Sequence, residues 1–300
     1  MRRVIPVSSR VAIVLSPALG DSLLMMTVAR NLRNSGIEVT VFGRQAVYLK
    51  DWFPNTDIRH ELDEKDLDEQ LRDFDLVIQL HRDRPFADLD RRHHNVMLLD
   101  HVCRAHSHEA MAERLARCCR EEIGLGEAGK DNGICAPLKL QHRKHMRRVA
   151  IHPMASTSDK RWLASRFIQL AQVLRERGFS PQFVVAAQER TEWAHLERSG
   201  LSVPKLDSLA EVAALIYESG WFIGNDSGVG HLASNLRVPT LSLFMRNGLA
   251  RTWRPSWGVG HVLVGSNYLP TSYLKERYWK YMLTVGTVMQ AFERLYASAS

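Results

Sequence analysis

The sequence predicts an α/β protein folded in two halves, each a parallel sheet wrapped by helices. Three observations carry that expectation. Short apolar, β-rich runs alternate with stretches of helical period, the alternation breaks once between residues 124 and 148, and it then resumes. At 300 residues, 45% apolar and 24% charged, the chain has the length for two cores. Those proportions exclude a disordered, collagen-like or disulfide-stapled protein.

Residues 11–15 read as a first strand, and the following helix places Leu24, Val28 and Leu32 at helical spacing before Gly36 stops it. Further strands are expected at 39–42, 76–80 and 96–99. The stretch GLGEAGKDNGICAPLKLQHRKHMRR lacks an apolar period and reads as an interdomain linker. After it come a strand at 149–152, a helix carrying Phe167, Leu170, Ala171 and Leu174, and a strand at 182–186. A helix at 210–217, strands at 221–223 and 240–244, and a helix opening at Gly228 complete the second half. Residues 273–296 look helical, and the expectation is that they pack back on the first domain. Two Rossmann-like domains facing one another across a cleft follow, with boundaries 1–145 and 146–300.

Lys and Arg number 40 against 33 acidic residues, a net charge of +7, which suggests a partner with negative charge. Residues 1–150 hold 24 basic and 22 acidic residues, residues 151–300 hold 16 and 11, so the halves carry +2 and +5. Neither has the interleaved basic and aromatic pattern of a nucleic-acid platform, and no nucleic-acid partner is expected. Arg143, Lys144, Arg147 and Arg148 form the densest basic cluster, within reach of an anionic membrane surface. The first residues, MRRVIPVSSRVAIVLS, have the outline of a signal peptide, but Arg10 interrupts the apolar run and VAIVLS reads as a buried strand. No run reaches the roughly 18 apolar residues of a membrane span. Cys103, Cys118, Cys119 and Cys135 form no CxxC pair and suit a reducing compartment, so a cytoplasmic protein is expected.

Open α/β sheets bind ligands at the carboxyl ends of their strands, and three loops there carry unusual residues. In SPALGDSLLMM, Asp21 is either a helix cap or a carboxylate that takes a proton from a substrate hydroxyl. That loop lacks a full GxGxxG, so it does not support dinucleotide binding. In HPMASTSDKRW, Ser156 and Thr157 can donate to phosphate oxygens and Lys160 adds a mobile charge, the alternative being a solvated loop. In FIGNDSGVGHLASNLRVPTLSLF, small residues at Gly228 and Gly230 bare helix N–H groups suited to a pyrophosphate. Asp226 there caps the helix, bonds sugar hydroxyls or pairs with a cation such as Lys160, and His231 is otherwise a satisfied helix residue.

These three loops resemble the bacterial heptosyltransferases of glycosyltransferase family nine, over about residues 11–264. GDSLLMMTVARNLR is similar to the family's N-terminal Gly-Asp element, SDKRW to its Lys-and-Trp element, and NDSGVGHLASNLRVPTLSLF to its Asp-Ser/Thr-Gly…His-Leu-Ala signature. The resemblance implies a GT-B architecture and inverting transfer, needing no metal or cofactor, of heptose from ADP-heptose to a lipopolysaccharide-core acceptor. It implies Asp21 as catalytic base, Lys160 at the donor phosphates, and Asp226, Ser227, Gly228, Val229, Gly230 and His231 around the donor. Glu189 would meet the nucleoside. Arg246 and Asn247 depart from the family's Gly-Pro-Thr-like loop and bear on donor-sugar recognition.

The implied partners are a nucleotide-sugar donor and an anionic glycolipid acceptor, with peripheral contact at the inner face of the inner membrane. Arg82, Arg84, His106 and His108 are the candidate acceptor residues; for the arginines a solvated charge cluster is the alternative. His93, His94, His101, Cys103, His106 and His108 lack a recognisable ligand spacing, so no metal site is expected. The competing readings are a nucleotide-sugar epimerase of GT-B architecture and a non-catalytic basic binding relative.

Overall fold

The computed structural model describes residues 4–104, 107–265 and 270–299. The chain divides into two compact units, Met1–Cys135 and Ala136–Ser300. No helix among the described residues is long and apolar enough to cross a membrane.

The first unit runs β1 (Arg10–Val14), α1 (Leu19–Asn34), β2 (Glu38–Phe42), α2 (Arg44–Tyr48), β3 (Asp57–Arg59) and α3 (Leu67–Leu71). It continues with β4 (Leu76–Gln79), α4 (Leu89–Arg92), β5 (Val96–Leu98), α5 (Asp100–Arg104) and α6 (Met111–Glu121). Its strands pair in parallel in the order β3-β2-β1-β4-β5. Leu24, Val28 and Leu32 are buried as their spacing predicts, and Gly36, at φ +81°, supplies the left-handed turn that ends the helix. Ala12, Val14, Phe42, Leu67, Val77 and Leu89 make one core layer. The short β3 escapes a reading by periodicity, since only Ile58 of its three residues is buried.

The second unit runs β6 (His145–His152), α7 (Ala164–Glu176), β7 (Ser180–Phe183), α8 (Arg190–Trp193), α9 (Leu209–Tyr217) and β8 (Ser219–Asn225). It ends with α10 (Gly228–Asn235), β9 (Thr240–Phe244), α11 (Asn247–Trp253), β10 (Gly260–Val264), α12 (Ser272–Met282) and α13 (Val285–Ala299). This sheet is also parallel, in the order β10-β9-β8-β6-β7. A single parallel bridge between Gln182 and Ser202 extends its β7 edge. β8 lies between β6 and β9 and is buried along its whole length, which is why it reads as a continuous apolar run.

The boundary within the expected linker lies earlier than anticipated. The segment expected to be a linker is held at both ends. Asn132 Nδ2 donates to Leu23 O, and Asn31 Nδ2 to Gly129 O, in the first unit. Gln141 N bonds Glu218 Oε1, and Arg143 N bonds Tyr217 O, in the second. The division therefore falls at 135/136, ten residues before the expected boundary, and residues 145–148 belong to β6. Two members of the basic cluster lie over aromatic rings, Arg143 on Trp221 at 4.9 Å and Arg147 on Phe179 at 5.6 Å, while Lys144 and Arg147 remain exposed. The terminal helical segment breaks at Leu283 and Thr284 into α12 and α13. Their apolar stripe, Trp279, Val288, Met289, Phe292 and Leu295, lies in the core of the second unit.

Candidate functional site

In both sheets the strand order turns back between two neighbours, β1 and β4 in one and β6 and β8 in the other. Loops leaving two such strands diverge to opposite faces and open a crevice at their carboxyl ends. Each unit has its candidate residues there.

In the first unit, Asp21 lies in the first turn of α1, whose cap is Ala18 without a side-chain bond. Its carboxylate is therefore not a helix cap. Asp21 Oδ2 meets His81 Nε2, at the end of β4, at 3.0 Å, with both side chains nearly enclosed. Burial alone would raise the Asp21 carboxyl. Hydrogen bonds from His81 and Ser16 and the charges of His81 and Arg84 outweigh it, and the group stays below its ordinary value. Arg84 Nη2 approaches the same imidazole nitrogen at 3.1 Å. Across from Asp21, the Cys103 thiol is pushed up to about 11, chiefly by burial and then by the Asp21 charge. Alongside, a cavity of about 780 Å³ is walled by Ser16 and Pro17 of the Asp21 loop together with Arg44, Gln45, Glu61 and Phe86.

In the second unit, Lys160 ends a single 3-10 turn, residues 158–160, and its Nζ lies 2.7 Å from Asp226 Oδ2. Asp226 is only 8% exposed and the contact is an ion pair with angles outside hydrogen-bond geometry. Asp226 is not the helix cap. Ser227 is, its Oγ accepting from Gly230 N at 3.3 Å. Gly228 and Val229 remain partly accessible, while Gly230 and His231 are buried, the latter edge-on to Trp257. Gly224, just upstream, has no room for a side chain: a Cβ would stand 2.9 Å from the Phe222 ring and 3.0 Å from His152 O.

Asn225 is a residue that sequence reasoning passed over. Fully buried, it donates from Nδ2 to Pro153 O at 2.7 Å and accepts at Oδ1 from Trp162 N at 3.0 Å. It thus clamps both ends of the loop that carries Ser156, Thr157 and Lys160. Two indoles complete the mount, Trp162 Nε1 donating to Leu283 O and Trp279 Nε1 to Asp159 O.

The sequence profile of glycosyltransferase family 9 (heptosyltransferase) matches residues 84–276, well over half of the chain. The chain belongs to glycosyltransferase family 9. Lipopolysaccharide heptosyltransferase 1 of Pseudomonas aeruginosa is 33% identical over 113 residues, which cover 36% of this chain. The chain spans only 31% of that curated relative's length in the match. The solved family 9 glycosyltransferase of Veillonella parvula aligns with a TM-score of 0.74 at 17% identity, covering 99% of this chain and 100% of that one. Heptosyltransferase WaaC of E. coli, solved with ADP, aligns at 0.67 and 16% identity, covering 95% and 99%. The ADP-heptose lps heptosyltransferase II of E. coli aligns at 0.69 and 15%, covering 96% and 99%. The fold shared with these proteins is GT-B.

The family 9 match takes in Lys160, Glu189 and the loop at 226–231, and begins after Asp21 and His81. Other expected site residues are dispersed. Ser156 and Thr157 are exposed beside Lys160. Glu189 folds back, its Oε2 accepting from Ala186 N in its own turn beyond β7. Arg82 is exposed and bonded to Asp90, and His108 is exposed between α5 and α6. His106 lies outside the described residues. Arg246 pairs with Glu276 of α12 at 3.3 Å. From the histidine-rich stretch, His101 Nε2 meets Glu122 Oε2 at 2.8 Å, with the Cys118 thiol in the same cluster.

Proposed function

We propose that the chain is an inverting glycosyltransferase that moves heptose from ADP-heptose onto a lipopolysaccharide-core acceptor. The observation that carries this reading is the Lys160–Asp226 pair at 2.7 Å beside the accessible N-terminus of α10, at the β6/β8 turning point. A cation, bared N–H groups and a carboxylate for sugar hydroxyls together suit a diphosphate attached to a sugar.

The acceptor hydroxyl attacks the anomeric carbon, the bond from that carbon to the diphosphate oxygen breaks, and its electron pair leaves with ADP. Asp21 receives the hydroxyl proton. Held below its ordinary value, its carboxylate is ionised throughout the physiological range and so is always in the accepting form. Lys160 and the α10 N–H groups neutralise the departing diphosphate, the task a divalent cation performs in metal-dependent transferases. The proposed reaction therefore runs without metal. The cavity beside Asp21 suits a sugar: Glu61 and Gln45 accept from or donate to hydroxyls, and Phe86 offers an apolar wall. A peripheral membrane contact is supported by exposed Tyr273, Tyr278 and Tyr281 on α12, interleaved with Arg277 and Lys280.

The test is calorimetric titration and thermal shift with ADP-, UDP- and GDP-sugars. ADP-heptose is expected to bind and to stabilise. Lys160→Ala should weaken ADP binding about tenfold or more, the scale of one charge-assisted contact. A preference for UDP-sugars, or ADP affinity unchanged in Lys160→Ala, would overturn the reading.

A further inference from the structure

We infer that His81 is a positioning residue for Asp21, holding the carboxylate in the orientation that receives the acceptor's proton. The inference rests on Asp21 being the base. His81 lies outside every motif of the sequence, and its place emerges only from the sheet, because β4 pairs with β1 and brings its own end beside the loop after β1.

The mount of His81 is rigid. Gln79, fully buried at the end of β4, donates from Nε2 to His81 O at 2.7 Å and to Phe86 O at 2.8 Å, closing the loop that carries the imidazole. The side chains of His81 and Asp21 are 11% and 14% exposed, so little water competes for their 3.0 Å contact. A single nitrogen, Nε2, faces both Asp21 Oδ2 and Arg84 Nη2. It carries one proton at most, and an ionised carboxylate requires that proton to point at Oδ2. Arg84 therefore acts on the pair by charge.

Without this donor the Asp21 carboxylate would rotate about its last bond and lose its alignment with the attacking hydroxyl. A misplacement of about an ångström costs on the order of 100-fold in such steps. The groups that face Asp21 are His81, Ser16 and Arg84, with Cys103 on α5 remaining a thiol. Removing His81 takes away one of the influences that oppose burial, so the acid limb of the pH–rate profile should move to higher pH.

The experiment compares His81→Ala, His81→Gln and Asp21→Asn by ADP release from ADP-heptose, with a heptose-free lipopolysaccharide core as acceptor. ADP affinity and melting temperature are measured alongside. His81→Ala should lower kcat by about 10- to 100-fold with ADP affinity unchanged, and shift the acid limb upward. His81→Gln, whose amide N–H can reach Oδ2, should recover most of the loss. Full turnover in His81→Ala while Asp21→Asn is inactive would overturn the positioning role alone. A folded His81→Gln as slow as His81→Ala would also overturn it. An active Asp21→Asn would overturn the base assignment and the inference together.

Discussion

His152 shows how the fold fixes a protonation state. At the end of β6 it is enclosed, bonds Val184 O through Nδ1 at 2.7 Å, and is pushed down to about 4 by burial. In the unfolded chain the same group titrates near 6.5, so between the two values the unfolded state binds the extra proton. Stability is then complete above pH 6.5 and falls as pH drops toward 4, by roughly 3 kcal/mol at the lower end. Urea unfolding of the wild type and His152→Gln at pH 7 and pH 4.5 should show a shallower pH slope in the variant. Equal slopes would mean that His152 is protonated in the folded state. The same burial logic makes Cys103 and Cys119 inert: their thiols are pushed up to about 11 and about 12, mainly by burial.

Among the elements, the loop after β6 owes its shape to β8 rather than to its own residues. Asn225→Ala would leave Pro153 O and Trp162 N without their bonds in a buried place. The expected cost is about 2–4 kcal/mol, with weaker ADP binding because Lys160 loses its mount. Chemical denaturation and ADP titration check both; wild-type ADP affinity would show that the indole bonds of Trp162 and Trp279 suffice alone. This clamp also explains what was legible in the sequence. Continuous apolar strands such as β1, β8 and β9 declare themselves because both faces are covered, and so do helices with one buried stripe such as α7. The exposed Lys160 loop and the glycine-rich start of α10 stand out by composition. His81, Gln79 and Asn225 do not, since their roles depend on which strands become neighbours, a long-range property that no local window contains. The expected linker does contain the division at 135/136, but which of its residues belong to which unit depends on bonds to distant elements, such as Asn132 to Leu23 O.

For the molecule as a whole, each unit has its own core, the first around Val14, Phe42 and Leu67, the second around Trp221, Leu241 and Phe292. Ligand stabilisation acts only on the part that binds. Scanning calorimetry should therefore resolve two transitions, with ADP at a hundredfold excess over its Kd adding about 2.7 kcal/mol to one of them. Fragments from limited proteolysis, cut near residue 136, identify which. A single transition, displaced as a whole by ADP, would mean that the units unfold as one cooperative block.

The position of the division at 135/136 also changes the electrical picture of the protein. Residues 1–135 contain 19 basic and 22 acidic residues, and residues 136–300 contain 21 and 11, so the units carry −3 and +10. Cut at mid-chain, the two halves had looked alike in sign. Divided where the fold divides, the chain is a strongly polar object whose cationic part is the one that holds Lys160. Such a field reaches about a Debye length into solution, near 8 Å at physiological ionic strength, and would draw the proposed nucleotide-sugar donor toward the cationic unit before any contact is made. For the proposed donor, long-range guidance would thus be distributed over the surface of a whole unit, while the resting Lys160–Asp226 pair, neutral in sum, would contribute only at close range.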